Sequence, residues 1–156
     1  DSSRIWVFQS NREFLANELE VIKVKLESFI ENWMRHGEDL KASYLVKYNQ
    51  FIVLAVDEKY NGVSGCSIDA SVNLMKQFER EFGVDLTNKL NISFKDGNEI
   101  NVVSLADFQK FAKEEKITFK TIVFNNMVAT KADFKAKWEV EAKDSWHTKF
   151  LTVKEA

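Results

Sequence analysis

Phe51 to Val56 reads FIVLAV, six consecutive apolar residues with no polar position to turn toward water. A half-exposed strand would show a polar residue at every second position, so this run belongs in the middle of a sheet. The run before it, Ala42 to Tyr48, is also β-rich. Asn49-Gln50 between the two makes a tight hairpin, whose turn type the absence of glycine leaves open.

The flanking segments supply the rest of a layered fold. Ile5 to Phe8, IWVF, is a second buried strand. Leu15, Leu19, Ile22, Leu26, Phe29, Ile30 and Trp33 then fall on one face at helical spacing. Two starts compete for this helix, Ser10 with Glu13 and Asn17 with Glu20, each a capping box. His36-Gly37 is its stop, because histidine suits the negative helix end and glycine the left-handed residue beyond it. Ile68, Val72, Met75, Phe78 and Phe82 predict a second helix from about Ser67, closed by Gly83. With a following strand at Leu90 to Phe94 the order is βαββαβ. This is an α+β fold: a ferredoxin-like layer of helices on a mostly antiparallel sheet.

A smaller hairpin-helix-strand unit follows. Asp96-Gly97 marks a hairpin, since both residues tolerate positive φ. Ser104 to Asp107 caps a short helix carrying Leu105, Phe108 and Phe111 to about Glu115. Thr121 to Val128 reads as a strand and Ala132 to Trp138 as a weak helix. The tail from Glu139, with Trp146, His147 and Phe150, has no clear period and docks through its aromatic anchors. The parts divide into 1–89 and 90–156. No linker composition marks a boundary at Thr87 to Asn91, so one continuous domain fits equally.

Size and charge narrow the function classes. The chain has 156 residues, 45% hydrophobic with 13 Phe and 4 Trp, enough for a core without covalent staples. One cysteine excludes an internal disulfide and a cysteine-cluster zinc site. With two histidines, any metal site would lean on carboxylates, so neither metal nor cofactor is expected. Net charge is −2 with no polybasic arm, which argues against nucleic acid. No apolar run approaches the roughly 20 residues of a membrane span, and the first residues lack a signal-peptide pattern. A cytoplasmic protein is expected.

The likeliest site runs from Phe51 to Ser71, where an apolar strand meets two acids, Asp57 and Glu58, then a glycine turn and the start of a helix. The unpaired N–H groups there can hold an anion, which nominates Gly62, Ser64, Gly65 and Ser67 as ligand-binding residues beside Asp57 and Glu58. The same field depresses a thiol pKa. Cys66 is therefore a candidate nucleophile, with His147 as base and Asp144 as orienter. The competing reading makes Cys66 a small buried side chain, and Asp69 would contest the same N–H groups.

The strand FIVLAVDE looks like a Walker B segment, whose acid reaches Mg²⁺, and Val63 to Ser67 is loosely similar to the transporter signature LSGGQ. No glycine is followed by lysine, so the phosphate-holding loop is absent. The stretches IWVFQSNR, LKASYLVKYNQFIVLAVDE, GVSGCSIDASV, EFGVDL and KDSWH together resemble a small family of bacterial proteins that carries the label ABC transporter ATPase. That label implies ATP hydrolysis. Leu90 to about Trp138 resembles GYF-like domains, whose relatives bind proline-rich peptides in an aromatic groove. Here Asn101-Val102-Val103 stands where a Gly-Pro-aromatic element would precede the helix. The expected function is a non-catalytic protein binding an anionic small molecule or a protein partner through Gly62 to Asp69. The alternatives are a thiol enzyme at Cys66 and a Mg²⁺-dependent nucleotide hydrolase.

Overall fold

A computed structural model describes residues 3–36, 41–57 and 65–151, with side chains at 3–34, 41–57 and 68–151. Strand β3 (Phe51–Asp57) is central in the first sheet, between β1 (Arg4–Gln9) and β2 (Lys41–Lys47) and antiparallel to both. Its unbroken apolar run has a direct physical reason. Ile52, Leu54 and Val56 enter a core under helices α1 (Ala16–His36) and α2 (Gly65–Phe82), while Phe51 and Val53 enter a second core on the opposite face. Both faces are covered, so no polar residue has a place.

Helix α1 buries Ile22, Leu26, Ile30 and Trp33 as its periodicity predicts, but Leu15 is exposed. Neither expected capping box forms. Leu15 instead donates its backbone N–H to Glu18 Oε1 at 2.8 Å, the backward-reaching half of a capping box. Arg12 grips both oxygens of Glu18 at 2.8 Å and donates to the Phe82 carbonyl at 2.8 Å, tying the start of α1 to the end of α2. Ser10 is used elsewhere. Its backbone N–H donates to the Gln50 carbonyl at 2.9 Å, and the Gln50 amide donates back to the Ser10 carbonyl at 3.0 Å. Hydrogen bonds from Arg12 hold the Glu18 carboxyl down at about 2, against the opposing effect of burial.

The order β1-β3-β2 is that of the first three strands of the ferredoxin-like plait, but the expected fourth strand is not beside β1. Strand β4 (Asn91–Asp96) joins a second antiparallel sheet with β5 (Glu99–Ser104), β6 (Ile122–Phe124) and β7 (Glu139–Glu141), in the order β5-β4-β6-β7. The Asp96-Gly97 turn explains the difference, with Gly97 at φ +63°. It zips β4 onto β5 from Asp96↔Glu99 to Asn91↔Ser104, a local pairing with almost no loop-closure cost. The outer edge of β1 is covered by Ala129 to Lys131, through Ile5 N–H to the Ala129 carbonyl at 2.9 Å and Lys131 N–H to the Ser3 carbonyl at 2.8 Å.

Helix α3 (Leu105–Lys113) starts as expected, with Ser104 Oγ accepting the Asp107 N–H at 3.1 Å. Helix α4 (Lys131–Lys137) is capped likewise by Thr130. The strand expected over Thr121 to Val128 is only Ile122–Phe124, because Asn125 turns the chain by accepting the Met127 N–H on its side chain at 3.1 Å.

The two parts of the chain share a core. Phe51 lies 4.9 Å from the rings of both Phe124 and Trp138, which are 4.8 Å from each other, with Ile5, Val53 and Val128 around them. A polar chain runs beside it: Trp138 Nε1 to Asn126 Oδ1, Asn126 to Gln9, each 2.9 Å, and Gln9 to the Asn91 carbonyl at 3.2 Å. Among the described residues no helix is long and apolar enough to cross a membrane. Phe51→Ala should cost about 3–5 kcal/mol. In urea, far-UV circular dichroism and tryptophan fluorescence should then shift to a lower midpoint together; separated transitions would mean the sheets unfold independently.

Candidate functional site

The middle of the segment singled out by the sequence lies outside the described residues: Glu58, Gly62 and Ser64 entirely, and Gly65, Cys66 and Ser67 as side chains. The Cys66 side chain and Glu58 thus lie outside the described residues, while Asp57 of the Walker-like strand is described. The backbone does correct one expectation. Helix α2 begins at Gly65, not at about Ser67, so Asp69 lies past the first turn, which carries no acidic residue. The expected competition between Asp69 and an anion for those N–H groups is thereby removed. Asp57 ends β3 opposite Lys41 of β2.

His147 lies in the second of two short 3-10 turns, Ala142–Asp144 and Trp146–Phe150. Its ring is fully buried, stacked 3.8 Å from Trp146 and 5.5 Å from Phe108. Phe108 belongs to a third core with Ile92, Ile117, Val123 and Ala142. Nδ1 is 2.7 Å from Ser145 Oγ, while Nε2 is buried with no hydrogen-bond partner among the described residues. Burial, assisted by the nearby Lys149 charge, pushes the imidazole down to about 4. At neutral pH it is an uncharged packing group. Ser145, not Asp144, orients the ring, and Asp144 is exposed. The docked-tail expectation for this segment describes what His147 does here.

A different constellation gathers at the second sheet. The β4–β5 hairpin and the segment after α3 enclose an open groove of about 750 Å³. Phe94, Asn101 and Val103 form its sheet side, and Phe111, Lys116, Lys120 and Thr121 the other. Lys95 and Asp96 stand at the hairpin end. Lys116 Nζ lies 5.4 Å from the Phe111 ring and 3.4 Å from Glu114, an exposed pair that binds it weakly.

Lys95 connects the groove to the joint between the sheets. Its Nζ is 2.7 Å from Glu139 Oε2 and 4.9 Å from the Tyr48 ring centroid, and the Tyr48 hydroxyl donates to Glu139 Oε1. Burial would raise the Glu139 carboxyl, but hydrogen bonds from Lys95 and Tyr48 outweigh it and hold the group below its usual value. The same bonds raise Tyr48 and Lys95. Tyr48 stacks on Trp138 at 6.1 Å. It reaches that position from a backbone that side chains disfavour, since Tyr48 and Asn49 both have φ +53°. Left-handed backbone costs about 1–2 kcal/mol for a residue such as tyrosine. The turn thus falls one residue before Asn49-Gln50, with Gln50 N–H donating to the Lys47 carbonyl at 3.1 Å.

Comparison with protein-family models, with curated proteins and with solved structures returned no match to this chain.

The buried histidine carries a pH signature. Its folded-state value of about 4 is below the usual 6.5, so the unfolded chain binds more protons between those limits. Its contribution to stability is complete above about pH 6.5 and lost as pH falls toward 4, a change on the order of 3 kcal/mol. Urea midpoints measured across this window should fall steeply for the parent and less for His147→Phe. Equal slopes would contradict the assignment.

Proposed function

We propose that this is a cytosolic, non-catalytic binding protein whose ligand is an anion with an apolar or aromatic body, held in the groove between the β4–β5 hairpin and the segment after α3. One arrangement carries the reading: Lys116 and Lys120 line a groove walled by Phe94 and Phe111, with Asp96 the one acid in the lining and Lys95, held by Glu139, at its hairpin end. Ammonium groups beside aromatic surface offer charge and apolar contact together, and partial removal from water strengthens both. The enclosed, neutral His147 supports the non-catalytic part of the reading, since a base must reach its substrate.

The start of α2 is a second place for an anion, favoured by its acid-free first turn. Variants separate the two. The fluorescent probe 1-anilinonaphthalene-8-sulfonate, an aromatic anion, should bind saturably to the native protein and more weakly as salt is added. Lys116→Glu with Lys120→Glu should weaken it about tenfold, or about 1.4 kcal/mol. Gly65→Leu should leave it unchanged. Loss on Gly65→Leu alone would move the site to α2, and an unaffected double variant would overturn the groove reading.

A further inference from the structure

We infer that the free edge of β5 is a surface through which two copies of this chain pair. Each sheet has two edges, and three of the four are protected. The outer edge of β1 is covered by Ala129 to Lys131. Strand β2 carries lysine at both ends, Lys41 and Lys47, and β7 has only three residues, two of them Glu139 and Glu141. Short length, edge charge and covering segments are the devices that keep sheet edges from pairing.

Strand β5 uses none of them beyond Glu99 at the hairpin end. It has six residues, EINVVS, and its other side is unpaired by any strand among the described residues. Ile100, Val102 and Val103 are each only half-buried. No backbone hydrogen bond outside the β4 ladder reaches this strand among the described residues.

The sequence of this edge suits a second copy of itself. In an antiparallel pair about a two-fold axis between Asn101 and Val102, Ile100 faces the second copy's Val103 and Asn101 faces its Val102. Glu99 then faces the second copy's Ser104, the residue that caps α3. The first turn of α3 already carries its own acid, Asp107, so the pairing rests on the strand register and its apolar partners, which two-fold symmetry repeats. The same operation on β2, centred on Tyr44, would set Lys41 against Lys47 twice. Like charges therefore oppose self-pairing at β2, while the β5 register sets no like charges opposite one another. The product is one eight-stranded sheet across the dimer. Asn101 and Val103 of this strand also line the ligand groove, but the inference does not rest on that reading.

A single strand pair covers little surface, so the dimer should be concentration-dependent. Sedimentation equilibrium on the full chain should show the mass rising from 18.1 kDa toward twice that value with concentration. Hydrogen exchange should show the amides of Glu99 to Ser104 gaining protection over the same range. Val102→Lys should remain monomeric, and Leu45→Lys on β2 should dimerise like the parent. If Val102→Lys does not fold by circular dichroism, the exchange measurement on the parent decides. A chain that stays monomeric throughout overturns the inference, as does a dimer without new protection at β5. Protection that appears only on adding an unrelated extended peptide also overturns it.

Discussion

Phe51 packed against Phe124 and Trp138 is the contact on which the architecture rests. It exists because Phe51 to Val56 of β3 include no polar residue to face water, so both sides of the first sheet need cover. Two helices cover one side. The other is covered by residues that arrive more than seventy positions later, which makes the second sheet part of the first sheet's core. Burial of three aromatic rings within 5 Å of one another supplies apolar area no short loop could provide.

Polar groups fix the geometry that this apolar contact permits. The chain from Trp138 through Asn126 and Gln9 to Asn91 satisfies buried donors only when the sheets sit in one relative position. Tyr48 adds a second constraint from the rim. Its unfavourable backbone is held by stacking on Trp138 and by the bond to Glu139, and Glu139 in turn holds Lys95 at the edge of the groove. Backbone strain, the joint between the sheets and the proposed ligand site therefore meet in one cluster. Drawing Lys95 away from Glu139 would loosen one member of it.

What was legible in the sequence follows from how local the signals are. The central strand, the buried faces of both long helices, the Asp96-Gly97 turn and the Ser104 cap each depend on neighbours within a few residues, and each appears where the pattern places it, although both helices start elsewhere. The fourth strand was misplaced because choosing its sheet depends on what covers β1, and that segment, Ala129 to Lys131, has no strand signature. The α1 cap was misread because Glu18 is paired by Arg12 and caps Leu15, a residue type that does not advertise a helix start. Tyr48 read as the last residue of a strand, since tyrosine is rarely chosen for positive φ. The groove was invisible because Phe94, Phe111 and Lys120 meet only through the tertiary fold, although the lysines and aromatics of 94–120 were there to count.

If both sheets depend on one aromatic core, they must open together. Native-state hydrogen exchange in low urea tests this most directly, on the amides of Ile52 and Leu54 in β3 and of Phe94 and Val123 in the second sheet. The account predicts one common opening free energy with one urea dependence, equal to that of global unfolding. Exchange of Phe94 and Val123 through a smaller opening, with Ile52 and Leu54 still protected, would contradict it.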